Sequence, residues 1–177
     1  DQVAISIGVI GLGKIAQDQH LPCIAKNSDF KLAAVVSSRP SDLGVPSFKT
    51  PAEMLASAKL DAVAICTPPS VRRNIALECL TKGAHLLLEK PPTPTISEFA
   101  DLKARAAVSG KVVFQTWHSR FNKAVAEAKR LQAGQKVTRL HVSWKESVWQ
   151  WHPGQEWIWE PGGFGVFDPG INALSIV

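Results

Sequence analysis

The chain has 177 residues, enough for one full domain and part of a second. Hydrophobic residues make up 45%, the share of a globular protein with a real core, and no apolar run reaches the roughly 18 residues of a membrane span. The net charge of +5 raises the question of nucleic acid, but Lys and Arg are scattered singly, with no run beyond Arg72-Arg73 and Lys129-Arg130, and no tyrosine offers a stacking platform. Neither nucleic acid nor a membrane is therefore expected as a partner. The chain starts at Asp1 with no basic-then-apolar segment, which predicts a cytoplasmic location. The three cysteines, Cys23, Cys66 and Cys79, are odd in number, lack a C-x-x-C spacing and stand among apolar residues. They predict buried free thiols in a reducing compartment, and no metal site.

The apolar run Ile5–Ile10 breaks directly into Gly11-Leu12-Gly13-Lys14-Ile15-Ala16. A buried strand feeding G-x-G-x-x-[GA] at the start of a helix is a dinucleotide fingerprint. Gly11 permits the sharp turn, Gly13 lets backbone N–H groups approach a pyrophosphate, and Ala16 lets the helix lie close on the strand. An ordinary Gly-rich turn between strand and helix is the alternative. Further apolar runs at Lys31–Val36, Ala62–Cys66, His85–Leu88 and Val112–Phe114 have the length of strands buried on both faces of a parallel sheet. Thr50-Pro51-Ala52-Glu53 and Thr95-Ile96-Ser97-Glu98 are capping boxes, Ser70 precedes a helix that Gly83 stops, and Gly110 ends the helix after Thr95. This order predicts an α/β class domain, a doubly wound parallel sheet of the Rossmann type, over residues 1–119.

The pattern then changes. Asn122–Ala133 reads as a helix ended by Gly134. Thr138, Leu140, Val142 and Trp144 alternate with Arg139, His141, Ser143 and Lys145, as on a strand of an antiparallel sheet with one side packed. Residues 120–177 are expected to start a second, α+β domain with an open, mainly antiparallel sheet. One strand, one Trp-rich loop and one helix are too few to complete it.

The end of the second strand carries no carboxylate to accept from a ribose 2′-OH. Ser37, Ser38 and Arg39 stand there instead, and hydroxyls with a guanidinium suit a 2′-phosphate, so NADP is favoured with NAD as the alternative. A solvated turn is the plainer reading. Glu89-Lys90-Pro91-Pro92 follows the strand 85–88 at the carboxyl edge of the sheet, where Lys90 either meets a substrate hydroxyl or is a surface lysine in a Pro-rich turn. Asp168 and Asn172 are spaced i, i+4 on one helical face, although Asp168 ahead of Pro169 also suits a helix N-cap. Five of the six tryptophans, Trp144, Trp149, Trp151, Trp157 and Trp159, lie within residues 144–159; such an aromatic face suits a sugar ring, a sheet or a subunit interface. His118 and His152 are each readable as structural or functional.

GLGKIA at 11–16, EKPP at 89–92, WHSRF at 117–121 and GGFGVFDPGIN at 162–172 resemble the glucose-fructose oxidoreductase / inositol dehydrogenase (Gfo/Idh/MocA) family. Residues 144–163 and 168–172 look most like its branch of aldose 1-dehydrogenases acting on L-arabinose or D-galactose. The resemblance implies oxidation of the anomeric carbon to a lactone with NADP as hydride acceptor. It places the family's catalytic lysine on Lys90, with a cis Lys90–Pro91 bond, and its acidic partner on Asp168. Many members carry His one turn after that Asp; this chain has Asn172. The implied cofactor residues are Gly11, Gly13, Lys14 and Ile15 in the turn, Ser37, Ser38 and Arg39 beyond the second strand, and Thr67, Pro68, Glu89, Lys90 and Trp117. The implied substrate contacts are Lys90, His118, Glu146, Trp151, His152, Asp168 and Asn172. A homo-oligomer through the second-domain sheet of the longer protein is implied as well. A dinucleotide-binding regulator without activity, and another polyol or dihydrodiol dehydrogenase, are the alternatives on the same fold.

Overall fold

Six parallel strands form one sheet in the order β3-β2-β1-β4-β5-β6, where β1 is Ile5–Ile10, β2 Phe30–Val36, β3 Ser47–Phe48, β4 Ala62–Ile65, β5 His85–Leu88 and β6 Val113–Gln115. The structure is a computed structural model and describes residues 3–165 and 167–177. The strand order reverses between β1 and β4, which opens a crevice beyond their carboxyl ends.

Two-residue periodicity sorts the strand side chains into two cores. Ile10, Ala34, Val36, Val63, Ile65, Leu86 and Leu88 point to one face, packed by Met54, Ala76, Cys79, Leu102 and Ala106. Those five come from helices α2 (Pro51–Ser57), α3 (Pro69–Thr81) and α4 (Ile96–Val108). Ile7, Val9, Val35 and Ala64 point to the other face, covered by Leu12, Ala16, Leu21 and Ile24. Helical residues 14–26 contain a π-helical stretch, Ala16–His20, followed by α1, Leu21–Lys26. Ala16 is fully buried against the sheet, as the small residue of the fingerprint requires. Both capping boxes form, with Glu53 and Glu98 returning to the N-cap amides.

The chain divides into two compact units, one ending at Gln115 and one running from Thr116 to Val177. The second holds α5 (Lys123–Gln132), capped by Asn122, then α6 (Val148–Trp151), a 3-10 turn at Glu156–Trp159 and α7 (Phe167–Leu174). All six tryptophans belong to this unit, and all three cysteines to the other.

Several expectations are corrected. Residues 138–145 form no strand, and no strand occurs among the described residues of the second unit. The alternation is present, but a strand needs a hydrogen-bonded neighbour, and no other segment of this unit reads as one. The Trp-rich stretch is not all loop, since α6 and the 3-10 turn lie in it. Helix α3 begins at Pro69, so Ser70 sits inside its first turn. Strand β3 escapes sequence reading because two residues carry no periodicity. Cys23 is exposed, since α1 turns Leu21 and Ile24 inward and Cys23 outward; Cys66 is half-buried and Cys79 buried, and all three thiols are free. Val166 of the 162–172 motif lies outside the described residues.

Candidate active site

At the end of β1, Gly11 adopts φ +89° and donates its N–H to the Val36 carbonyl at 3.0 Å. A Cβ there would stand 3.1 Å from both the backbone N and Cγ2 of Thr67, so the turn needs glycine on conformational and steric grounds. A Cβ on Gly13, in contrast, would meet nothing within 4 Å. Leu12 accepts from Gln17 Nε2 at 2.8 Å, and Lys14 pairs with Asp18 one turn on, while Ile15 is half-buried. Beyond β4, Thr67 and Pro68 form the facing wall. Thr67 Oγ1 is buried and has no hydrogen-bond partner among the described residues. An open glycine, a helix start with unsatisfied N–H donors and an orphaned hydroxyl fit a dinucleotide pyrophosphate.

The loop after β2 is built by hydrogen bonds to its neighbours. Ser37 N–H donates to Phe48 O at 3.0 Å, Arg39 N–H donates to Ser37 Oγ at 3.1 Å, and Lys49 Nζ donates to Ser38 O at 3.1 Å. Ser38 and Arg39 are exposed. Lys49 was not legible as part of this loop, because the short β3 that delivers it was not.

Beyond β5, Glu89 is 6% exposed and its Oε1 lies 2.7 Å from His20 Nε2, while Oε2 accepts the Lys90 N–H at 3.1 Å. Burial alone would raise the Glu89 carboxyl. The His20 hydrogen bond and charge, the Lys90 amide and the Arg72 guanidinium outweigh it and hold the carboxyl below the ordinary 4.5. Arg72, 3% exposed, donates through Nη1 to the carbonyls of Glu89 and Pro91 and through Nη2 to that of Thr67. One guanidinium thus fastens the turns after β4 and β5 together. Lys90 is half-buried, and Lys90–Pro91 is cis, as the resemblance implied. His20 and Arg72 were both missed from sequence. The only available signal for Arg72 was its position in the first helical turn after a strand, close to the sheet edge.

In the second unit, Asp168 is the second residue of α7, inside the helix rather than ahead of it, and is 3% exposed. Asn172, one turn on, is 5% exposed. His152 Nε2 lies 2.8 Å from Asp168 Oδ2, and His152 Nδ1 lies 3.2 Å from Gln155 Oε1. Asn172 Nδ2 donates to Glu146 Oε1 at 3.4 Å, and the same oxygen accepts from Trp144 Nε1. The structure therefore brings together His152 with Asp168 and Glu146 with Asn172. Trp117 is half-buried ahead of the 3-10 turn His118–Phe121, His118 is exposed, and Trp151 on α6 is 49% exposed. Among the described residues, no group of three or more His, Cys, Asp or Glu side chains could hold a metal ion, and no helix is long and apolar enough to cross a membrane.

A parallel sheet with a fingerprint turn at its switch point defines a Rossmann domain of the dinucleotide-binding type. Residues 5–116 match the Gfo/Idh/MocA oxidoreductase family, NAD-binding Rossmann fold, and the chain belongs to that family. It is 42% identical to galactose 1-dehydrogenase of Pseudomonas fluorescens, over 98% of this chain and 56% of that protein. It superposes on the crystal structure of D-galactose-1-dehydrogenase from Rhizobium etli with a TM-score of 0.92 and 49% identity, covering 99% of this chain and 57% of the other. The scyllo-inositol dehydrogenase of Lactobacillus casei with bound NAD(H) and scyllo-inositol aligns with a TM-score of 0.66 and 27% identity over 73% of this chain and 41% of that one. The chain spans little more than half the length of the two galactose dehydrogenases and 41% of the inositol dehydrogenase.

Proposed function

We propose that this chain works as part of a cytoplasmic aldose 1-dehydrogenase that oxidises a sugar of the L-arabinose or D-galactose type at C1 to the aldonolactone, with NADP preferred over NAD. The observation that carries the reading is the pair Asp168 and Asn172, both buried on one face of α7 with His152 against the carboxylate. The carboxylate is held by His152 and the amide by Glu146, so acceptors and donors are already fixed in place on one helical face, an arrangement suited to a hydroxyl-rich ring. The similarity to galactose 1-dehydrogenases over nearly the whole chain supports the same substrate class.

Gly11, Gly13, Lys14 and Ile15 would receive the pyrophosphate, with Thr67 and Pro68 as the opposite wall and Glu89, Lys90 and Trp117 nearer the reactive ring. Arg39, with the Ser37 and Ser38 hydroxyls and the Lys49 ammonium, would receive the 2′-phosphate. The nicotinamide, when bound, accepts the hydride from C1. Asp168 takes the proton of the C1 hydroxyl, or Lys90 does so if its ammonium is neutralised. Lys90 and the Asn172 amide orient O1 and the ring oxygen, and amide and ammonium donors stabilise charge at O1. His118, Glu146 and Trp151 are the contacts for the remaining hydroxyls. Residues 120–177 belong in this reading to the substrate domain, whose sheet also makes the homo-oligomer.

The test is reduction of NADP⁺ and NAD⁺ by the full-length protein across a panel of pentoses and hexoses, with the lactone trapped by hydroxylamine. Turnover of an aldose with NADP⁺ ahead of NAD⁺ is expected. Dinucleotide binding without turnover of any sugar would point to the regulator instead.

A further inference from the structure

In the second unit a chain of hydrogen bonds runs from Trp157 through Gln155 and His152 to Asp168, and the hydrogens along it can be assigned. The Trp157 indole N–H, which can only donate, faces Gln155 Oε1 at 3.1 Å. The amide atom there must therefore be the oxygen, whichever way an amide might otherwise be turned. The same oxygen lies 3.2 Å from His152 Nδ1. Two acceptors do not face each other across a hydrogen-bond distance, so Nδ1 carries a hydrogen. The Trp157 ring meets the imidazole edge-on, at 5.9 Å between centroids and 86° between planes, which limits rotation of the imidazole away from this arrangement. The other ring nitrogen, Nε2, stands 2.8 Å from Asp168 Oδ2, with side-chain exposures of 16% for His152 and 4% for Asp168. Because Nδ1 is already protonated, the gap between Nε2 and Oδ2 holds one proton or none. With one, the pair is imidazolium–carboxylate or imidazole–carboxylic acid. With none, two lone pairs confront each other across 2.8 Å with little water to separate them, an arrangement that a proton entering the gap relieves.

We propose that His152 is the positioning residue for Asp168, and that the two side chains take up the proton of the sugar hydroxyl as a unit whose tautomer is set by Gln155 and Trp157. This inference rests on the dehydrogenase reading above. As C1 is oxidised, its C–H electron pair leaves as hydride to the nicotinamide, the O1–H bond breaks, and the C1–O1 double bond forms. The released proton enters the Nε2–Oδ2 gap, and His152, the more exposed of the two, passes it to water. A histidine delivered by the loop after α6 thus stands against the aspartate, while the helical position one turn after Asp168 is occupied by an asparagine that cannot titrate.

The experiment uses the full-length protein in two arms. In the first, nitrogen-15 spectra of histidine-labelled protein, without sugar or dinucleotide, should show His152 with Nδ1 protonated throughout and only Nε2 titrating. Trp157→Phe keeps the ring and removes the donor, so the Gln155 amide can turn and a second tautomer should appear. A resting His152 with bare Nδ1 and protonated Nε2 would overturn the proposal. In the second arm, His152→Ala should lower kcat roughly a hundredfold with the sugar KM changed less than about threefold, and added imidazole should restore part of kcat. Trp157→Phe should lower kcat several-fold at an unchanged Tm. A raised KM with intact kcat in His152→Ala, or no recovery with imidazole, would instead make His152 a reader of sugar hydroxyls or a packing residue. Absence of sugar turnover in the unaltered protein would sink the dehydrogenase reading while the spectra still decide the tautomer.

Discussion

At the scale of single residues, Glu89 couples the stability of the sheet edge to pH. Its carboxyl is held below 4.5 in the folded protein. A group whose pKa is lowered by folding contributes stability that is fully present above its unfolded value and is lost as the pH falls through the folded one. The protein should therefore lose Tm progressively on acidification below pH 4.5. Glu89→Gln should lower Tm at neutral pH and flatten that acid limb, which a series of melting curves checks; an equally steep limb would assign the acid sensitivity to other carboxyls. Asp168 separates turnover from stability in the same way. Under the proposed chemistry, Asp168→Ala in the full-length protein should depress kcat by roughly a hundredfold or more. Asn172→Ala should act in the same direction less severely, because an amide orients without titrating. A purely structural role, holding His152 against α7, would instead lower Tm and leave turnover intact. Measuring kcat beside Tm in each variant decides which holds.

At the scale of elements, the loop after β2 and the turn before α7 make separate predictions. Ser38→Asp puts a carboxylate beside Arg39 and Lys49, and Lys49→Ala removes the cation that donates to Ser38 O. Both should raise KM for NADP⁺ more than for NAD⁺, and an unchanged ratio would remove this loop from the 2′-phosphate site. Gly163 lies so close to the preceding 3-10 turn that a Cβ would fall 1.9 Å from Trp157 O and 2.8 Å from Ile158 O. Gly163→Ala must push that backbone away, costing roughly 1–3 kcal/mol, and it should disturb Trp157 and the His152 arrangement along with it. An unaltered Tm would show that the turn relaxes freely. The elements with strong local signals were readable from sequence for physical reasons. β1, β5 and the two capping boxes announce themselves through apolar runs bounded by defined caps, and their residues appear where those signals put them. β3 and the π-helical stretch carry no such signal, since each is imposed by its neighbours.

At the scale of the whole molecule, the site was legible in kind and not in wiring. The fingerprint glycines and the Asp168–Asn172 pair could be picked out as candidates because their spacing is local, whereas Lys90 was singled out by its place at the sheet edge and by family resemblance. The bonds of Arg72 to the Glu89 and Pro91 carbonyls and the contact of His152 with Asp168 span 16 to 19 residues along the sequence, so periodicity could not disclose them. Residues 138–145 show the opposite failure: the pattern is correct for a strand, and the second unit offers it no partner. The segregation of two residue types gives this protein a built-in instrument. Every tryptophan lies beyond residue 115, every cysteine lies before it, and there is no tyrosine. Emission excited in the near ultraviolet therefore comes from the second unit alone, and thiol chemistry reports on the first alone. Burial and the Glu89 charge push the Cys66 thiol up to about 12, and burial and Glu78 push the Cys79 thiol up to about 12. In native protein at neutral pH a thiol reagent should thus count Cys23 quickly, with Cys66 and Cys79 answering only when the first unit opens. Following both colours through one denaturant titration yields two unfolding curves from an unlabelled chain, and the gap between their midpoints measures how far the two units are thermodynamically coupled.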